Sequence, residues 1–243
     1  MYSIDGGFTE VNLCSNTTES TPPLTASMKI FFISGYNIEV KTEEQVARLL
    51  ELQTFIFTFT EIDRFIYFPD SKATDRRENN TEHSFSLALA AWFLSQHYPH
   101  LDTNLCIRYA LVHDLVEVHA GDEQAIGRSK EAQKKKEARE HEAFLKLKSN
   151  WHDFPEMISD IAAYEQRQNA ESKFVYALDK IMPLLLNLLS DGKTWKKYNF
   201  KRSDILRAKD SKITVSPEVN EIWQHLRSYI LTKDDLFAEG MAD

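Results

Sequence analysis

The segment Leu111-Val112-His113-Asp114-Leu115-Val116-Glu117-Val118-His119-Ala120-Gly121-Asp122 limits what this chain can fold into more than any other. It completes an apolar run that starts at Thr103 and reads as a central core helix reaching Val118. Within that run stand His113 and Asp114, side by side. Ionisable side chains are seldom buried without a partner, because losing their hydration is costly unless they are paired. On one continuous helix Glu117 follows His113 by four residues and Asp114 by three, so the three project from neighbouring points of one face. Gly121 suits the position just past the last turn, and Asp122 follows at the exit. An imidazole and three carboxylates on so stiff a framework point to a bound metal ion.

Only 7 Gly and 7 Pro in 243 residues argue for helices over a turn-rich sandwich or barrel, and 42% hydrophobic residues can fill a sizeable core. The expected fold class is all-α. A formal charge of −8 argues against general nucleic-acid binding, which needs a basic footprint. Cys14 and Cys106 cannot build a disulfide framework or a thiolate zinc site. No membrane partner is expected, since no stretch approaches the roughly 20 apolar residues of a span. The start lacks the form of a signal peptide, and the expected setting is cytoplasmic.

Residues 1–40 read as a polar, disordered or loosely packed tail, with Lys29–Ser34 suited to a short strand or apolar arm. Met28 could serve as a second start. Residues 41–191 are expected to form the main domain, and 192–243 a basic connection with a C-terminal helix packed on it. Thr42-Glu43-Glu44-Gln45 has the form of a capping box opening a helix that carries Val46, Leu49, Leu50 and Leu52 and runs to about Phe59. Thr81 is placed to cap a second helix with His83 in its first turn and an apolar face of Phe85, Leu87, Leu89, Ala90, Phe93 and Leu94. Residues 128–148 read as a solvated helix of interleaved charges. A short helix after Pro155 ends near Tyr164-Glu165, and a long one from Ala170 to Leu189 sets Asp179 among apolar neighbours. Gly192 to Lys212 reads as an irregular connection, and Ser216-Pro217-Glu218 as the start of a last helix.

His83, His113, Asp114 and Asp179 thus each lie on a helix with an apolar face. Such a donor set suits Mn²⁺, Co²⁺, Fe²⁺ or Zn²⁺. Spacing alone leaves open whether His83 and Asp179 converge on the His113-Asp114 pair. They serve equally as a cap and as a salt-bridge partner of Lys180 or Lys173.

Three blocks narrow the choice: Glu82-His83-Ser84, then His113-Asp114-x-x-Glu117-x-x-x-Gly121-Asp122, then Ala170-Glu171-x-Lys173-Phe174-Val175-x-x-Leu178-Asp179-Lys180. In this order the chain resembles the HD-domain metal-dependent phosphohydrolases, and within them the 5′-deoxyribonucleotidase-like subgroup, from about Asp63 to Leu189. The resemblance implies a helical bundle in which His83, His113, Asp114 and Asp179 hold a divalent ion (Mn, Co, Fe, Zn or Mg). It implies that Glu117 and Asp122 hold a second ion or carry protons. It gives Arg64 the substrate phosphate and makes Phe65, where the subgroup usually has Trp, a candidate contact for the sugar or base. The implied activity is hydrolysis of nucleoside 5′-monophosphates, with a small nucleotide as the only expected partner and a homodimer left open. Another nucleotide substrate, or a binding module without turnover, is the alternative.

Overall fold

The computed structural model describes residues 40–69, 75–121 and 130–242. The strand expected at Lys29–Ser34, and Asp122 with it, lie outside the described residues. The chain divides into two units, Met1–Glu51 and Leu52–Asp243. The described part of the first is the beginning of helix α1, Val40–Thr60. Everything that follows concerns the second.

After α1 come a two-stranded antiparallel ribbon, β1 (Asp63–Tyr67) and β2 (Arg77–Asn79), and the helices α2 (Asn80–Ser95) and α3 (Thr103–Val112). A one-turn helix α4 (Glu117–Ala120) precedes α5 (Lys130–Asn150), α6 (Pro155–Gln166) and α7 (Ala170–Leu189). The chain continues through α8 (Lys193–Lys197), α9 (Arg202–Ile213) and α10 (Pro217–Leu231) to a 3₁₀ turn at Asp234–Leu236. The fold is all-α, with the ribbon its only sheet among the described residues. No described helix is long and apolar enough to cross a membrane.

Helix α7 organises the body: α2, α3, α6, α9 and α10 all pack on it. Its Phe174, Val175, Ala177, Leu178, Ile181 and Leu184 are buried. They join Leu87 and Ala91 of α2, Tyr109 and Ala110 of α3, and Trp223 and Ile230 of α10 in one core. A second core joins Phe59, Val112, Leu115, Val116, Leu147, Trp151 and Ile161. Ser216 caps α10 with Pro217 in its first turn, the arrangement its sequence calls for.

Several local expectations need correction. The helix from Thr103 does not run on to Val118. It stops at Val112, and bonds from Leu115 N to Val112 O and from Glu117 N to Asp114 O close three-residue rings through 113–117. This tighter winding means that His113 and Glu117 are not stacked as on an ideal helix. Asn79, not Thr81, caps α2: its side chain accepts from Glu82 N while Asn79 N donates to the Glu82 carboxylate. The inner face of α2 is His83, Ser84, Leu87, Ala88, Ala91 and Ser95, whereas Phe85, Leu89 and Phe93 are exposed. This helix is apolar on both sides, so composition could not choose between them. On α1, the contacts to the second core come from Leu52, Phe55 and Phe59. The stretch from Gly192 to Lys212 is helical, as α8 and α9. Gly192 makes the turn into it at φ +69°, in the left-handed region where a side chain is strained.

Candidate metal centre

The reciprocal Asn79–Glu82 cap fixes where α2 begins, and that start sends His83 into the body, fully buried. His113 ends α3 and Asp179 lies midway along α7. The three elements bring one donor atom each from His83, His113 and Asp179 within 4.8 Å of one another. Ligand bonds of about 2.0–2.3 Å to a shared centre bring donor atoms within roughly 4.6 Å of each other, so the spacing is close to what one ion needs.

The chemistry of the donors agrees. His113 Nδ1 lies 2.8 Å from Ala110 O, and a carbonyl can only accept, so the proton is on Nδ1. Nε2 then turns a buried edge with no hydrogen bond towards Asp114 Oδ2 at 2.9 Å and Asp179 Oδ1 at 4.0 Å. A lone pair facing two carboxylates needs a cation between them or a second proton on the ring. Burial works against that proton, but Asp114 and Asp179 outweigh it and raise the ring's pKa. In His83 the bonded nitrogen is the other one: Nε2 is 2.9 Å from Asp179 Oδ1, while the buried Nδ1 has no hydrogen bond and lies 3.4 Å from Oε2 of the buried Glu78. Carboxylates and carbonyls behind a ligating imidazole fix its tautomer and aim it. The residues therefore fit a divalent ion of the kind that takes mixed imidazole and carboxylate ligands.

Asp114 stands beside this trio. Its Oδ2 is 2.9 Å from His113 Nε2 and accepts from Arg64 Nη1 at 2.7 Å. Burial would raise its carboxyl, but His113 and Arg64 hold it far below the usual carboxylate range. Asp179 is pushed the same way: burial opposes, and Lys180, His83 and His113 prevail. Lys180 is also its ion-pair partner, so the salt bridge and the place in the trio coexist. Arg64, on β1, reaches across the cluster. Its Nε is 3.4 Å from Glu78 Oε2, its Nη1 donates to Asn80 Oδ1 at 3.3 Å, and its Nη2 is 3.9 Å from Asp179 Oδ1.

Glu117 is buried, and its Oε2 accepts from Asn80 Nδ2 at 2.8 Å. It lies one residue, Asn80, away from Arg64 and outside the trio. Phe65 is 37% exposed with its ring 5.2 Å from the Arg77 guanidinium. His119 is exposed. Tyr164 is buried with its ring 6.0 Å from that of His113, and burial, then Asp179 and Asp114, keeps its hydroxyl protonated well above the ordinary range. Glu165 beside it is exposed. Sequence reasoning passed over Glu78 and Asn80. The only hint was their place around the start of the helix of His83.

A family profile described as HD domain matches residues 70–223. A crystal structure described as a predicted metal-dependent phosphohydrolase from Magnetospirillum magnetotacticum aligns at a TM-score of 0.68 and 26% identity. The alignment covers 82% of this chain and 99% of that one. A search of curated proteins gives no significant match. His83, the His113-Asp114 pair and Asp179, gathered at one point from three elements and matched over more than half the chain, place this protein in the HD domain family.

Proposed function

We propose that this chain is a metal-dependent phosphohydrolase that cleaves nucleoside 5′-monophosphates, deoxyribonucleotides foremost, to nucleoside and phosphate. The observation that carries the reading is the meeting of His83, His113 and Asp179 within 4.8 Å, with Arg64 and Asp114 ion-paired beside them. Further support comes from the family and from the description of the Magnetospirillum structure. The narrower substrate class rests on the resemblance of the three sequence blocks.

His83, His113, Asp179 and Asp114 would hold the ion. A divalent cation there supplies Lewis acidity and brings the pKa of a water towards neutrality. The rest is the work of side chains. Arg64 presents a planar fork that hydrogen-bonds two phosphoryl oxygens at once and offsets the charge gathering on them during attack. Glu117, oriented by Asn80, takes the proton of the attacking water and returns it to the departing 5′ oxygen. The bond from phosphorus to that oxygen breaks as the one to the water oxygen forms, and orthophosphate leaves.

The test is product analysis with a panel of nucleoside mono- and triphosphates and cyclic nucleotides in Mn²⁺, Co²⁺ or Mg²⁺, beside elemental analysis of the purified protein. Orthophosphate from monophosphates is expected. Pyrophosphate or triphosphate as product would move the activity to another nucleotide class. Tight binding without turnover would make the chain a nucleotide-binding module.

A further inference from the structure

The two oxygens of Asp179 meet different partners. Oδ1 faces the trio: it lies 2.9 Å from His83 Nε2 and 4.0 Å from His113 Nε2, with Arg64 Nη2 at 3.9 Å. Oδ2 instead accepts from Lys180 Nζ. Consecutive residues of a helix do not face each other, so this ammonium reaches Asp179 only by folding its stem back along α7. Tyr176, one turn earlier on the same helix, keeps it there. Nζ stands 4.8 Å from the centre of the Tyr176 ring, the separation of a cation–π contact. The Lys180 side chain is 26% exposed, whereas a lysine commonly keeps its head in water. Among the described residues Asp179 is the one carboxylate with which it pairs. An ion centred on the trio therefore meets one free oxygen of Asp179, because the other is committed to an ammonium. Carboxylates that give both oxygens suit large ions such as Ca²⁺, which gather about six to eight oxygens. Ions that take mixed imidazole and carboxylate ligands need no second oxygen from the same group.

We propose that Lys180 is a positioning residue: by holding Oδ2 of Asp179 it restricts that carboxylate to one-oxygen ligation, and so selects transition-metal ions over Ca²⁺ at the centre. The position that a second oxygen would fill stays open for a water or a substrate oxygen, as a working metal site requires. The ammonium itself stands close to the ion and opposes any cation there by Coulomb repulsion. Its removal therefore takes no attraction away from the centre.

The experiment is calorimetric titration of the metal-free full chain with Mn²⁺, Co²⁺ and Ca²⁺, together with the visible absorption of bound Co²⁺, for the wild type, Lys180→Met and Lys180→Arg. Methionine keeps most of the aliphatic stem and removes the charge. Lys180→Met is expected to keep Mn²⁺ and Co²⁺ and to gain on the order of tenfold in Ca²⁺ affinity relative to Mn²⁺, the scale on which groups behind a ligand act. Its Co²⁺ bands should weaken, as they do when the ion takes a further ligand. Lys180→Arg keeps a cation beside Oδ2 and should restore both wild-type readings. An unchanged ratio of Ca²⁺ to Mn²⁺ affinity with an unchanged Co²⁺ spectrum in Lys180→Met would overturn the proposal. Loss of all three ions with the fold intact would overturn it too, because the lysine would then be a prop for Asp179 and not a limit on its ligation. A wild type that binds none of the three ions would overturn it as well. If Lys180→Met does not fold, Lys180→Ala takes its place under the same criteria. None of these readings involves turnover, so they judge Lys180 whatever becomes of the proposed reaction.

Discussion

Glu78 is not among the donors that meet within 4.8 Å, yet replacing it with glutamine should weaken metal binding by on the order of tenfold to a hundredfold, as for other groups behind a ligand. The carboxylate is 1% exposed, with Oε2 3.4 Å from both His83 Nδ1 and Arg64 Nε. Between two full charges at that separation Coulomb's law gives roughly 5 kcal/mol at an effective dielectric of about 20. A ligating imidazole is neutral, so Glu78 acts on His83 as a nearby charge, without a hydrogen bond to Nδ1. Only a fraction of that energy is at stake, and a tenfold to hundredfold loss corresponds to about 1.4–2.7 kcal/mol. Glutamine has the same shape and removes only the charge, so the loss should stay inside that range and the fold should persist. Competition for Mn²⁺ or Zn²⁺ against a fluorescent chelator reads the affinity, and circular dichroism reads the fold. Affinity within twofold of the wild type, with helicity retained, would refute the idea that Glu78 sets the aim of His83.

Asp114→Ala should remove both bound metal and turnover, whereas Glu117→Ala should keep the metal and lower the rate; elemental analysis with phosphate release separates them, and equal loss of metal in both would show that Glu117 is a ligand. Gly192→Ala places a Cβ 1.8 Å from the backbone oxygen of Leu236 at a φ of +69°. It should destabilise by about 2 kcal/mol or more, which lowers the melting temperature by roughly 4–8 °C for a domain of this size, and an unchanged melt would refute the close packing of that turn. Burial, then Glu171 and Asp102, push the Cys106 thiol up to about 12. In a Cys14→Ser background Cys106 should resist a thiol-reactive dye at pH 8 until the protein unfolds, and rapid labelling of the native protein would contradict its burial.

Much of this molecule was legible from residue order alone, for identifiable reasons. Period, caps and breakers are local, so α6, α7 and α10 appear close to their sequence limits. His83, His113, Asp114 and Asp179 stood out because an ionisable group on an apolar helix demands a partner. What sequence could not settle was which partners meet. The two-sided apolar pattern of α2 is resolved only by what packs against it, and tight turns through 113–117 interrupt a run that reads as one continuous helix. Glu78 and Asn80 look like ordinary polar residues around the start of a helix until the ribbon brings Arg64 beside both of them. The alphabet of donors is written locally. Their common centre depends on distances between segments far apart in the chain, and only the packing of α2, α3 and α7 supplies those.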